Sequence, residues 1–386
     1  MTAILRPFKR LFTPVHPIPA GIYHYQSPPD DPRNYRLHLR LEEYGSGVLI
    51  INATVVLHLN QTAAEYAYYL VKNVPADEVA RQMAARYQVQ PDQARRDYEL
   101  LSERIQTLAT TQDVDPVLYL DFERQKPFSG EISAPYRLDC ALTYRLPEDQ
   151  PVEAAPIERV ARELTTDEWC SILDKAWQAG VPHVIFTGGE PTLRDDLPAL
   201  VAHAEQLGQV SGLLTGGLRL ADEIYLGKLL QAGLDHLLLV LQPENEQSWQ
   251  AVGNALVEDL YVVVHITVTN DDRQQITTII QRLANMGVQH ISLSASDAAY
   301  VDALHFARQK VAVANLDLVW NLPTPYSALH PVALESEDAK IEGAGRAWLY
   351  VEPDGDVRPA QGDPRILGNL LRDNFAQIFG KQAAPA

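Results

Sequence analysis

Val184-Ile185-Phe186-Thr187-Gly188-Gly189-Glu190-Pro191-Thr192-Leu193 decides how the rest of the chain is read. An apolar run ends in two glycines, a carboxylate and a proline, and Arg194-Asp195-Asp196-Leu197 then opens a helical pattern. Glycine carries no Cβ, so a glycine pair at a strand end lets backbone come close to whatever lies beside it. Pro191 removes one donor and fixes the turn.

Around this stretch the same rhythm recurs. Gly180-Val-Pro-His183-Val-Ile-Phe, Gly233-Leu-Asp-His236-Leu-Leu-Leu and Gly287-Val-Gln-His290-Ile-Ser-Leu each place a glycine at a helix end before an apolar strand. Tyr136-Arg-Leu-Asp-Cys-Ala-Leu-Thr143, Gln209-Val-Ser-Gly-Leu-Leu214 and Tyr261-Val-Val-Val-His-Ile266 supply further strands. Helical patterns fill the gaps, and Thr165 with Glu168 reads as a capping box for a helix running to Ala179. Strands alternating with helices mean βα units on a parallel sheet. The fold class is therefore α/β: a partial (β/α)6 TIM-like barrel over residues 134–312, its site expected in the loops after the strands.

Ahead of the barrel, residues 1–34 are rich in proline and read as an irregular arm. Tyr35–Leu41 alternates polar and apolar residues as a strand does, and Val48–Ala53 and Val55–Leu59 follow as two more. A helix is expected from Thr62, capped by its hydroxyl with Glu65 reaching back, and two more from Asp77 and Pro91. Residues 35–110 thus form a small winged-helix-like α+β domain, and 111–133 a linker. Residues 313–386 form a C-terminal extension in which Pro353-Asp354-Gly355 signals a hairpin turn.

Composition narrows the function. The chain has 386 residues and a formal charge of -18, and repulsion makes nucleic acid and anionic membrane poor partners, so neither is expected. Two cysteines exclude a disulfide framework and fit a cytoplasmic location. The N-terminal apolar stretch is interrupted by Arg6, Lys9 and Arg10, which is not the order of a secretory signal.

Gly188-Gly189-Glu190-Pro191 resembles the GGEP motif of radical S-adenosylmethionine (SAM) enzymes, whose backbone receives the methionine end of SAM. The order Gly-Val-Leu-Ile-Ile-Asn-Ala, Leu-Asn-Gln-Thr-Ala, Asp-Glu-Val-Ala, Tyr-Gln-Val is similar to PqqD-like peptide-recognition domains, in which a leader peptide adds a strand to the sheet edge. Trp348-Leu-Tyr-Val-Glu-Pro-Asp-Gly-Asp-Val-Arg-Pro-Ala360 resembles the SPASM or twitch extension of peptide-modifying members. The resemblance implies a cofactor site at Gly188, Gly189, Glu190, Pro191 and Thr215, with SAM as the ligand for which that cradle is kept.

The sequence departs from the family at its metal. After Ala141-Leu-Thr-Tyr-Arg145 the family continues with three cysteines in a C-x3-C-x2-C loop, which hold a [4Fe-4S] cluster. Here Leu146, Gln150 and Glu153 stand at those positions, and Ala360 stands where the extension commonly has a cysteine. Cys140, inside a strand, and Cys170, inside a helix, read as buried small hydrophobes. No [4Fe-4S] cluster is expected, and no other metal site or catalytic residue. The resemblance then implies a pseudoenzyme that binds a peptide, SAM or a partner enzyme in a peptide-modification pathway. Two other readings stay open: an active peptide maturase whose cluster ligands are unusual or supplied by a partner, and a ligand-free scaffold whose barrel mouth is filled by its own side chains.

Overall fold

The computed structural model describes residues 15–28, 31, 35–111, 133–147, 160–320, 322–325 and 343–380. They fall into two compact units, Met1–Ser133 and Ala134–Ala386.

In the first unit four antiparallel strands, β1 (Gly21–Gln26), β2 (Arg36–Leu41), β3 (Gly47–Ile51) and β4 (Val55–Leu59), pair in chain order. Three helices follow, α1 (Gln61–Val71), α2 (Ala76–Tyr87) and α3 (Pro91–Thr110). Alternation puts Leu37, Leu39, Leu49, Ile51 and Leu57 on one sheet face, where α1 and α3 bury them. Two expectations are corrected. Residues 21–26 are not irregular: Ile22-Tyr23-His24-Tyr25 pairs with β2 as an edge strand, the position at which flanking prolines are tolerated. The cap of α1 is Asn60, whose side chain accepts from Ala63 N, and not Thr62. Glu65 is buried and turned to Arg86 of α2, both of whose bonds to it are 2.8 Å, because a tertiary ion pair outcompetes a local one.

The second unit is built on six parallel strands, β5 (Arg137–Thr143), β6 (His183–Gly188), β7 (Val210–Thr215), β8 (His236–Val240), β9 (Tyr261–Val268) and β10 (His290–Ala295). Each is followed by a helix, respectively α4 (Thr166–Gln178), α5 (Leu197–Leu207), α6 (Glu223–Gln231), α7 (Glu246–Leu256), α8 (Arg273–Met286) and α9 (Val301–Val313). The capping box of α4 is present in both directions, Glu168 N to Thr165 Oγ1 at 3.3 Å and Thr165 N to Glu168 Oε2 at 2.9 Å. Gly180, Gly233 and Gly287 all take left-handed backbone where helix gives way to strand.

The C-terminal stretch extends the barrel sheet at both ends. β11 (Asp317–Leu318) pairs parallel with β10. β12 (Trp348–Val351) pairs parallel with β5 and turns through the expected hairpin into β13 (Asp356–Arg358), which pairs with β14 (Gly368–Asn369). A short helix, α10 (Phe375–Gly380), ends the described chain. The sheet runs from β11 to β14 without closing on itself. Val184, Phe186, Leu213, Leu237 and Val264 point outward into the helix layer. Ile185, Leu214, Leu238 and Val263 form a separate cluster on the concave face. Among the described residues no helix is long and apolar enough to cross a membrane.

Candidate functional site

The Gly188–Pro191 turn sits where β6 meets the loop leaving β5, and the two backbones touch. Gly189 N donates to Thr143 O at 2.7 Å and Glu190 N to Arg145 O at 2.9 Å. A Cβ on Gly188 would lie 2.1 Å from Thr143 O, and one on Gly189 would lie 2.3 Å from Arg145 O. Gly188 also has φ +127°, a conformation only glycine adopts without strain. The glycine pair therefore makes room for the chain's own loop.

Glu190 is buried, and its carboxylate acts as a clasp. Oε1 accepts from Thr192 N (3.0 Å), Thr192 Oγ1 (2.6 Å) and Thr215 Oγ1 (2.6 Å), and Oε2 accepts from Gly216 N (2.8 Å). Thr215 Oγ1 in turn accepts from Gly217 N at 3.0 Å. The end of β6 is thus tied to the end of β7 by bonds to a charged acceptor, the stronger kind. Pro191 opens a 3-10 turn, Pro191–Leu193, and Arg194 behind it donates to Leu164 O (2.9 Å) and Asp196. All five residues expected at the cofactor site come together here. The side chains of Glu190 and Thr215 are spent on each other, so a hold on SAM would rest on backbone alone.

Among the described residues no set of donors fits an iron–sulfur cluster. Cys140 lies in the outer layer of β5 among Leu138, Leu142 and the helices, where burial first and Asp139 second push its thiol far up. Cys170 is half-buried on α4, its thiol raised by burial and then by Asp174, Asp167 and Asp196. Leu146 packs with Ala141, Tyr144, Val160 and Tyr350, an apolar nest at the end of β5. Tyr144 and Tyr350 share a hydroxyl–hydroxyl bond of 3.2 Å, joining this loop to β12. Gln150 and Glu153 lie outside the described residues. No group of three or more His, Cys, Asp or Glu suited to a metal occurs among the described residues.

The recurring histidines begin their strands, at the opposite end of the barrel. His183 Nε2 and His236 Nε2 meet at 2.7 Å across β7, with rings edge to face. Gly212 of β7 makes this possible, since a Cβ there would lie 2.0 Å from the His236 ring. Burial pushes His236 down to about 3, with Arg137 adding to it; burial, then His236 and Arg137, push His183 well below its ordinary value. His290 stacks on Tyr261 instead.

Two polar arrangements on the concave face were not singled out from sequence. His265 has Nδ1 3.0 Å from Ser292 Oγ and Nε2 2.8 Å from Ser294 Oγ, and burial takes it down to about 3. Arg137 and Asp139 form a buried ion pair of 2.7 Å. Their signal was visible as a polar residue at every second position of an apolar strand, Arg137 and Asp139 in β5 and His265 in β9.

Comparison with known proteins agrees with this geometry. The family model described as the radical SAM superfamily matches residues 140–246. A PqqA peptide cyclase of Streptomyces rochei is 30% identical over 278 residues, covering 64% of this chain and 76% of that protein. A PqqA peptide cyclase of Granulibacter bethesdensis is 37% identical over 124 residues, 32% of this chain and 33% of that one. Among solved structures, Streptococcus suis SuiB bound to S-adenosylmethionine superimposes with TM-score 0.57 at 15% identity, covering 92% of this chain and 88% of SuiB. SuiB bound to its precursor peptide SuiA gives 0.58 at 15% identity with the same coverage, a likeness of fold.

Proposed function

The chain belongs to the radical SAM superfamily, and we propose that within its peptide-modifying branch it is a pseudoenzyme that binds a peptide without performing radical chemistry. The cysteine inventory carries this reading. Radical SAM chemistry needs three thiolates on three irons. This chain has two cysteines, one facing the helix layer from inside a strand and one on a helix. Leucine at position 146 offers no ligand and is partly buried against Ala141, Tyr144 and Tyr350. No step through a cluster follows from these residues.

A peptide as ligand has support from two sides. The relatives are named for a peptide substrate, and SuiB is seen with a precursor peptide. In the first unit β4 ends the sheet, and Val55-Val-Leu-His-Leu59 contains no proline to block pairing with an added strand. β1, at the other end, is flanked by Pro17, Pro19 and Pro28, which suits a guarded edge. We therefore place the peptide-recognition role on residues 35–110, in the manner of PqqD-like domains, and treat residues 313–386 as the SPASM/twitch-like extension.

SAM at Gly188, Gly189, Glu190, Pro191 and Thr215 is the second part of the reading. The clasp formed by Glu190 and the loop backbone filling the glycine gap explain these residues without a ligand.

The test is anaerobic reconstitution of the full chain with iron and sulfide, followed by an iron count and a search for reductive SAM cleavage. Substoichiometric iron and no cleavage are expected. Iron near cluster stoichiometry with cleavage would establish an active maturase using ligands in the loop beyond Leu146 or from a partner. A calorimetric SAM titration separates the remaining branch, since saturable binding without iron would make the protein a SAM binder.

A further inference from the structure

The five motif residues offer a ligand backbone alone, but the loop they touch carries charged side chains with room for a partner. β5 ends at Thr143, whose carbonyl accepts from Gly189 N at 2.7 Å, and the carbonyl of Arg145 accepts from Glu190 N at 2.9 Å. The Arg145 side chain is therefore launched from the wall of the glycine turn. Its Nε lies 3.2 Å from Thr143 Oγ1 and 3.5 Å from Glu163 Oε2. The Thr143 hydroxyl, fully buried, donates in turn to Glu163 Oε1.

The other arginines of these loops are used up. Arg194 spends its fork on Leu142 O, Leu164 O and Asp196, Arg162 on Glu168, and Arg219 on Thr192 O and Asp195. Arg145 differs. It is fastened through Nε, and its two terminal nitrogens have no partner among the described residues. Its side chain is 55% exposed, so that fork is open to solvent. Glu163 remains 30% exposed although it meets Thr143, Arg145 and, at 4.0 Å, Arg194.

A cation with free donors and an anion that solvent still reaches thus stand side by side next to a turn that presents backbone. The middle of a peptide carries neither charge. A phosphate would be met by Arg145 and repelled by Glu163. The head of a free α-amino acid matches both, because one carbon carries its carboxylate and its ammonium. The carboxylate fits the guanidinium fork, and the ammonium fits Glu163. A loose, half-exposed ion pair contributes little by itself, so little is lost when a ligand takes its place between the two groups.

We propose that Arg145 and Glu163, steadied by Thr143, form a seat for the zwitterionic head of an α-amino acid, such as SAM carries at its methionine end. SAM as the occupant rests on the proposed function; the match of charges does not.

Calorimetric titration of the full chain with three ligands tests the seat: SAM, SAM lacking its carboxylate, and free methionine. SAM should bind about thirtyfold tighter than its decarboxylated form. Bulk charge works the other way, since a chain of net charge -18 attracts the more cationic decarboxylated compound, so the preference has to come from a local cation. In Arg145→Gln the preference should vanish. In Glu163→Gln it should persist, with SAM bound about tenfold more weakly. Both side chains are partly exposed and the backbone bonds of Arg145 are untouched, so both variants should melt close to the intact chain. If one does not fold, the comparison of the two SAM forms on the intact chain still decides. Equal binding of those forms, or an undiminished preference in a folded Arg145→Gln, would overturn the seat while leaving SAM a ligand of the glycine turn. Binding of methionine but not of SAM, lost in Arg145→Gln, would keep the seat, assign it to a free amino acid and remove SAM from the proposed function. No binding of any of the three would overturn the seat.

Discussion

The two ends of strand β6 are both polar, both buried, and fastened in opposite ways. At its C-terminal end the Glu190 carboxylate receives four hydrogen bonds, and backbone from the neighbouring loop fills the space beside the glycines. At its N-terminal end His183 has one partner, His236, and that partner's Nδ1 is buried without one. The first is a charged acceptor fully used; the second is a contact that holds only while the two rings share a single proton. A motif that reads as a cofactor cradle is thus also a fastening of the barrel, and two of the histidines that recur at the strand starts are a neutral pair.

The comparison breaks most sharply at the glycines. Gly189→Ala places a Cβ against Arg145 O and the Tyr144 carbonyl, all backbone that cannot swing aside. A loss of about 4 kcal/mol or outright failure to fold is expected, read from urea midpoints. A variant of ordinary stability would mean the loop moves freely and the gap exists for a ligand. Next comes Glu190→Ala, which leaves two hydroxyls and two amides without their acceptor and should cost roughly 3–4 kcal/mol whether or not SAM is present. If the loss appears only as weaker SAM binding, with the melting point unmoved, the clasp is not structural.

The other end is probed by pH. Both rim histidines are held below their ordinary 6.5 in the folded chain, so the unfolded chain binds more protons in acid. Their contribution is level above pH 6.5 and is lost as the pH falls below it, by about 1.4 kcal/mol per histidine per pH unit. Between pH 7.5 and 5.5 the pair should account for about 3 kcal/mol of lost stability. A His183→Gln/His236→Gln variant should flatten that part of the slope and leave the share of His265, which is depressed to about 3 by burial. An unchanged slope would show the pair to be exposed or already protonated.

The smallest effect belongs to the loop that would hold a cluster in an active relative. Tyr350→Phe removes the bond to Tyr144 and should cost about 1 kcal/mol, visible as faster exchange of the Thr143–Leu146 amides rather than a large change in melting point.

Much of this was legible without coordinates. Periodicity located all six barrel strands to within a residue or two, because a parallel strand buried on both faces is an uninterrupted apolar run. The Thr165–Glu168 box and the hairpin at Gly355 are local signals and appear where local signals put them. β1 was not legible, since a strand at a sheet edge needs no strong pattern of its own and prolines obscured it. The cap at Asn60 was displaced from the expected Thr62 because Glu65 answers to Arg86, twenty-one residues away in sequence.

Composition and order alone settle that this chain cannot supply three cysteines and that it alternates strand with helix, since these depend only on which residues exist and how far apart they stand. What Glu190, Gly212 and Leu146 do could be learned only from the folded chain. Each acts on a partner distant in sequence: Thr215 on the next strand, the His236 ring, and Tyr350 of the extension. Proximity across strands is created by the pairing order of the sheet, and no spacing along the chain records it.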